Sequence, residues 1–200
     1  MIKLNILEDY IVLENEFVLL RPLEISDVAH LLEFSINEPE IWQFGWVTAA
    51  GKSNLERYIT LALAAKENKT EYPFIVFDKK QQKYAGCTRF YDINLPFKTL
   101  QLGYTWYGKA FQGTGLNKNC KYLLLEYAFE QLHVERVEFR ADNRNAKSIA
   151  AMKSIGCVVE GLFRSHTPTL EGGRRDSIIL SILKSEWLGE VKQKLKLKIN

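Results

Sequence analysis

Cysteine, histidine, long apolar runs and charge imbalance are all scarce in this 200-residue chain. Its three cysteines, Cys87, Cys120 and Cys157, lie far apart and form no Cys-x-x-Cys or Cys/His ligand spacing. That excludes a disulfide framework and a structural zinc site, and no metal is expected. Each cysteine sits in an apolar stretch and reads as a small core residue. The three histidines, His30, His133 and His166, are scattered. No His-Glu-x-x-His, Gly-x-Ser-x-Gly or EF-hand loop is present, which leaves zinc protease, serine hydrolase and calcium-sensor chemistry without a motif. No apolar run approaches the ~18–20 residues that cross a bilayer. The opening Met1–Leu7 runs into Glu8-Asp9 without the form of a signal peptide, so a cytoplasmic protein with no membrane association is expected. The charge balance, 27 Lys+Arg against 24 Asp+Glu, leaves +3, too mild to point to nucleic acid. Lys192, Lys194, Lys196 and Lys198 crowd the C-terminus and read as a solvated tail rather than a nucleic-acid-binding arm.

What the chain does have is ordinary globular material: 46% hydrophobic, 12% aromatic and 26% charged residues. Phe17–Pro22 reads as a strand stopped by proline. Ser26 is placed to cap a helix through Val28, Leu31, Leu32 and Ile36. Ser53 and Glu56 have the spacing of a capping box before Leu55, Tyr58, Ile59, Ala62 and Leu63. The middle then changes period. Tyr72–Phe77, Tyr84–Ile93 and Thr99–Tyr107 are rich in β-branched and aromatic residues and predict an antiparallel meander. In the third strand, alternation puts Leu100, Leu102, Tyr104 and Trp106 on one face, with Gln101, Gly103, Thr105 and Tyr107 on the other.

A helix over 116–131, a strand around 136–141, a helix over 145–155 ending at Gly156, and strands at 158–164 and 176–183 complete the pattern. The order β-α-α-β-β-β-α-β-α-β-β predicts one α+β domain over 14–187. A short extension at 1–13 and a basic tail at 188–200 flank it.

The sharpest local feature is Phe111-Gln112-Gly113-Thr114-Gly115-Leu116-Asn117, between a strand and a helix. Two glycines let backbone approach a ligand closely, and the helix that follows offers unpaired N–H groups to a phosphate or pyrophosphate. The same Gly-x-Gly is also compatible with a plain tight turn. It lacks the third glycine of the dinucleotide fingerprint. Gly51-Lys52-Ser53 resembles the end of a P-loop, but Trp46 stands where that motif needs glycine.

Beyond the loop run Ala141-Asp142-Asn143-Arg144-Asn145-Ala146-Lys147-Ser148, Gly156-Cys157, Arg174-Arg175-Asp176 and Glu186-Trp187. With Leu20-Arg21-Pro22-Leu23 and Ser26-Asp27 upstream, this series resembles the GNAT superfamily of acyl-CoA-dependent N-acetyltransferases. It looks most like the branch of ribosomal-protein N-terminal acetyltransferases. The resemblance implies a mixed, mostly antiparallel sheet with helices on both faces, and acetyl-CoA as cosubstrate. It also implies direct transfer of an acetyl group to an amine, either a peptide N-terminus or a small molecule, by a monomer or homodimer.

On the same resemblance, Gln112, Gly113, Thr114, Gly115, Leu116 and Asn117 form the pyrophosphate loop. Asn117 departs from the usual small residue at the loop's end. Thr105, Trp106 and Tyr107 would border pantetheine, with the Trp106 backbone as oxyanion donor, and Asn145 would contact the pantetheine arm. The tyrosine that protonates the thiolate in many members is replaced by Met152, which leaves Ser148 as the candidate acid. The glutamate of the ribosomal-protein branch is replaced by Lys109. The base stays open among Asp92, Glu138, Tyr107 and His166. Trp42 and Trp46, with Tyr91 and Asp92, are expected to line the acceptor site. Because Met152 and Lys109 remove two familiar groups, a catalytically weak acyl-CoA-binding sensor or scaffold is the alternative reading.

Overall fold

The β-branched and aromatic segments of the middle third form the centre of an eight-stranded sheet in the computed structural model, which describes residues 9–199. The opening segment Met1–Leu7 and most of the predicted 1–13 extension lie outside the described residues. In chain order the elements are β1 (Leu13–Glu14), β2 (Val18–Pro22), α1 (Val28–Asn37), α2 (Lys52–Glu67), β3 (Glu71–Asp78), β4 (Lys83–Asn94) and β5 (Thr99–Tyr107). Next come α3 (Leu116–Glu126), β6 (Arg136–Asp142), α4 (Ala146–Ser154), β7 (Val158–Pro168) and β8 (Arg174–Leu183). Two short helices, α5 (Lys184–Glu186) and α6 (Lys192–Lys196), end the chain.

The sheet order is β1-β2-β3-β4-β5-β6-β8-β7, antiparallel throughout except where β5 meets β6. One face buries Leu20, Phe74, Phe90, Leu100 and Leu102 with Cys120 and Leu124 of α3. The other buries Ile75, Cys87 and Trp106 with Leu31 of α1 and Leu55 and Ile59 of α2. The fold is thus the mixed, mostly antiparallel sheet with helices on both faces that the resemblance implies, and all three cysteines are buried and free as expected.

The strict alternation expected in β5 fails at one place. Cys87 pairs with Trp106 and Arg89 with Gly103, so Tyr104 and Thr105 together face Thr88 alone. This bulge, with Tyr104 at φ 48°, rephases the strand. Leu100 and Leu102 point into the α3 side, yet Trp106 packs on the α1–α2 side and Tyr107 returns to α3. Both faces of β5 are buried, so apolar periodicity carries no sign of the phase change.

Both predicted caps are also replaced. Ser26 lies inside a 3₁₀ turn, Ile25–Asp27, where Asp27 accepts the Glu24 N–H at 2.8 Å and is gripped by Arg21 at 2.6 Å. Helix α2 begins one residue before Ser53, because the Gly51 carbonyl already accepts the Leu55 N–H at 3.0 Å. Glu56 therefore pairs with Lys52 instead of closing a box with Ser53.

The expected basic tail is a packed helical segment. Trp187, Val191 and Leu195 recur every four residues and are buried, with a π-helical turn at Trp187–Val191 joining α5 to α6. Trp187 stacks on Phe129 and donates to Glu130 at 2.8 Å, while Lys192 reaches the same carboxylate at 2.6 Å. The domain therefore continues past residue 187. Lys194, Lys196 and Lys198 do face solvent, but from that packed segment.

Candidate active site

Strands β5 and β6 run parallel, and their carboxyl ends feed the N-termini of α3 and α4. In sheets with parallel strands, the crevice outside those ends is where ligands bind. The β5–β6 ladder covers Thr99–Arg136, Leu100–Val137 and Gln101–Glu138 and goes no further. From Leu102 to Tyr107 the β6-facing edge of β5 has no strand partner among the described residues.

At the end of that edge lies the glycine loop. Gly113 and Gly115 adopt φ 77° and 91°, and a Cβ built on either meets no atom within 4 Å among the described residues beyond its chain neighbours. Helix α3 starts at Leu116 with Gly115, which has no side chain, at its N-cap position, and the Thr114 hydroxyl accepts the Leu116 N–H at a long 3.4 Å. Empty space over two left-handed glycines and a helix start without an N-cap side chain together fit a phosphate group. Gln112 donates its amide to the Tyr107 carbonyl at 2.9 Å, and Thr114 donates its hydroxyl to the Phe111 carbonyl at 2.8 Å. Asn117 buries its Oδ1 without a hydrogen-bond partner.

On the neighbouring helix, Asn145 caps α4 by accepting the Ser148 N–H at 3.0 Å. The Asn145 side chain thus does the backbone work, and the Ser148 hydroxyl makes no hydrogen bond within the described residues. Met152 is buried in the core.

The α1–α2 face holds a pocket of about 190 Å³ lined by Val47, Tyr58, Leu61, Glu71, Arg89 and Tyr104. Arg89 is buried there, 2.6 Å from Glu71, with its guanidinium 4.1 Å from the Tyr104 ring centre and 4.9 Å from that of Tyr58. Burial pushes the Tyr104 phenol up to about 12. Trp46 and Tyr91 do not line the pocket but stand edge-on to Tyr104, which does. Trp46 also donates to Thr167 at 3.2 Å and lies under Arg175, tying this aromatic cluster to β7 and β8.

None of the four expected acceptor residues lines this pocket, and two lie well apart from Tyr104. Trp42 is buried against Trp106 in the core. Asp92 is exposed and accepts from Gln101 at 2.7 Å. Of the four candidate bases, Tyr107 faces α3 and is held well above its ordinary value by burial, so it cannot take a proton near neutrality. Glu138 is engaged by Arg136 and Arg140. Burial, with Arg140, Arg175 and Arg174 nearby, holds the His166 imidazole below its usual value, and its Nδ1 lies 3.0 Å from the Ser177 hydroxyl. Lys109 turns outward to pair with Glu40.

Sequence reasoning missed Glu71, Arg89 and Lys121. Arg89 falls at the alternate positions of β4 between Cys87 and Tyr91, both buried. Lys121 precedes Leu124 and Leu125 by one helical turn, and both of those are fully buried. A charged residue at a buried position of either period was the available signal.

A split between two parallel strands, closed at one end by a helix start behind paired glycines, is the kind of crevice in which sheets with parallel strands bind ligands. The chain belongs to the acetyltransferase (GNAT) domain family, whose match covers residues 18–158. Over 176 residues it is 27% identical to the Bacillus subtilis protein named "Probable N-acetyltransferase YjcK", covering 86% of this chain and 96% of that one. It is 33% identical over 105 residues to the B. subtilis "Putative ribosomal N-acetyltransferase YdaF", or 52% of this chain and 56% of YdaF. A solved "putative acetyltransferase from T. thermophilus" superposes with a TM-score of 0.85 at 31% identity, covering 94% of this chain and 97% of that one. The chain is an acetyltransferase enzyme. Among the described residues no group of three His, Cys, Asp or Glu side chains could hold a metal ion, and no helix is long and apolar enough to cross a membrane.

Proposed function

We propose that the chain moves an acetyl group from acetyl-CoA directly to an amine, either a peptide N-terminus or a small-molecule amine. The observation that carries this reading is the unpaired edge of β5 leading into the glycine loop at α3. Bound acetyl-CoA would supply an activated thioester. Gln112, Gly113, Thr114, Gly115, Leu116 and Asn117 would hold its pyrophosphate against the N-terminus of α3. The backbone of Thr105, Trp106 and Tyr107 would align the pantetheine arm as an added strand, with Asn145 alongside. The Trp106 N–H would stabilise charge on the acyl oxygen.

The acceptor would enter from the opposite face, through the pocket at Tyr104, where Glu71, paired with Arg89 through one oxygen, would accept a hydrogen bond from the amine. An N–C bond forms, the C–S bond breaks, the amine gives a proton to water or a base, and the thiolate takes one. Ser148, with its hydroxyl open, is the donor this reading assigns. Asp92 and His166 remain as bases acting through water. Holding two reactants in one crevice supplies much of the acceleration. An N-terminal amine, near pKa 8, needs less help than a lysine near 10.4.

The test is release of free thiol from acetyl-CoA with a panel of amines and N-terminal peptides. Turnover with at least one acceptor is expected. Tight coenzyme A binding with no turnover on any acceptor would overturn the reading and mark a sensor.

A further inference from the structure

Lys121 is only 5% exposed in the middle of α3, yet no carboxylate among the described residues pairs with it. Its Nζ donates to Thr105 Oγ1 at 2.7 Å and to Thr88 Oγ1 at 3.1 Å. The two hydroxyls lie 2.8 Å apart, and both are within hydrogen-bond reach of the Gly103 carbonyl, at 3.4 and 3.5 Å. These are the residues of the β5 bulge and its partner across the ladder. The ammonium therefore sits directly behind the stretch where β5 leaves β6.

Packing gives no reason for the charge. A leucine at this position would extend the stripe formed by Cys120, Leu124 and Leu125, whereas a buried cation without a counter-ion is costly. The titratable groups around it are Cys120 on its own helix, Cys157 beyond α4 and Tyr107 on β5. Burial pushes all three up, Cys120 to about 12, so they are neutral at physiological pH. Asp78 on β3 acts on Cys120 but makes no ion pair with Lys121. Thr88 on β4 and Thr105 on β5 are neutral hydroxyls.

We propose that Lys121 is a positioning residue for acyl transfer. Its ammonium fixes the β5 bulge through the Thr88–Thr105 pair and keeps positive charge behind the backbone that meets the acyl oxygen. The inference rests on the transferase reading above. While the ammonium is charged it can only donate, so both hydroxyls must direct their own protons onward, one to the other and that one to Gly103. A neutral amine can also accept, and the chain loses its single direction. The charge itself favours negative charge gathering nearby in a water-poor crevice.

Burial lowers the Lys121 pKa to about 8. Its contribution is therefore present below that pH and lost as pH rises through it. In Lys121→Met, kcat should fall by about tenfold, short of the 10²–10³ expected for removing a direct oxyanion donor. The coenzyme A dissociation constant should change less than about twofold. The ratio of wild-type to variant kcat cancels the acceptor's own titration, and should fall as pH rises through about 8. A flat ratio, or an unchanged kcat, overturns the proposal. If Lys121→Met does not fold, Thr88→Val carries the test. Removing one acceptor of the ammonium should move the high-pH loss of kcat to lower pH, and an unmoved profile overturns the proposal. A wild-type chain with no turnover overturns the transferase reading and this inference together. An active wild type with an unaffected variant overturns this inference alone.

Discussion

Replacing Glu71 with Gln tests whether the pocket's charge is held by one buried pair. The change keeps the shape of the side chain and removes only its charge. Arg89 would then keep a buried guanidinium, at 6% side-chain exposure, between the Tyr58 and Tyr104 rings. Breaking a buried pair by removing one partner costs about 3–5 kcal/mol. Glu71 is 17% exposed at the pocket wall, and the aromatic contacts to Arg89 survive, so the lower end, about 3 kcal/mol, is expected. At roughly 2–4 °C per kcal/mol for a domain of this size, Tm should fall by about 6–12 °C. Thermal denaturation of Glu71→Gln, Arg89→Met and the double variant measures it. The double variant should be less destabilised than the sum of the singles, because the orphaned charge is gone. The acceptor KM should rise in Glu71→Gln with a smaller change in kcat. A Tm shift under about 1 °C, or strict additivity in the cycle, would refute the reasoning that Glu71 compensates Arg89.

Gly115→Val should weaken coenzyme A binding by roughly a hundredfold, the equivalent of two lost charge-assisted hydrogen bonds at about 1.5 kcal/mol each. Fold stability should fall by only about 1–2 kcal/mol from the left-handed backbone. Calorimetric titration reads the first and denaturant unfolding the second; an unchanged dissociation constant would remove the pyrophosphate assignment. Ser148→Ala should lower kcat while leaving coenzyme A affinity intact, because the serine's backbone bond to Asn145 survives the substitution. Steady-state kinetics set beside binding data separate the two; equal kcat would take the proton-donor role away from Ser148.

Much of the architecture was legible because its parts announce themselves locally. The meander, the α3 stripe and the stop at Gly156 each follow from period or from one residue's conformation. The glycine loop was legible for the same reason, since left-handed backbone and a helix start without an N-cap side chain are local properties. The bulge at Tyr104 was not, because both faces of β5 are buried and a phase slip leaves the pattern equally apolar. Ser53 and Glu56 had the right spacing for a cap, but Gly51 can adopt a conformation that starts the helix earlier. The lysine-rich C-terminus concealed Trp187, Val191 and Leu195, which charge counting ignores and helical spacing would have found. Trp42 and Trp46 are neighbours in sequence with opposite fates, one in the core and one edge-on to the pocket residue Tyr104. Only tertiary placement of the α1–α2 loop distinguishes them.

The short run of pairing between β5 and β6 has a consequence for how the domain breathes. In most sheets, amide protection against solvent exchange is greatest in the central strands and declines toward the edges. Here the ladder joining Gln101 to Glu138 ends inside the sheet, and the backbone beyond it on β5 is an internal edge. Protection should therefore have a local minimum near the centre, flanked by slower-exchanging strands on both sides. The sheet then behaves as two stiff panels joined along a short seam.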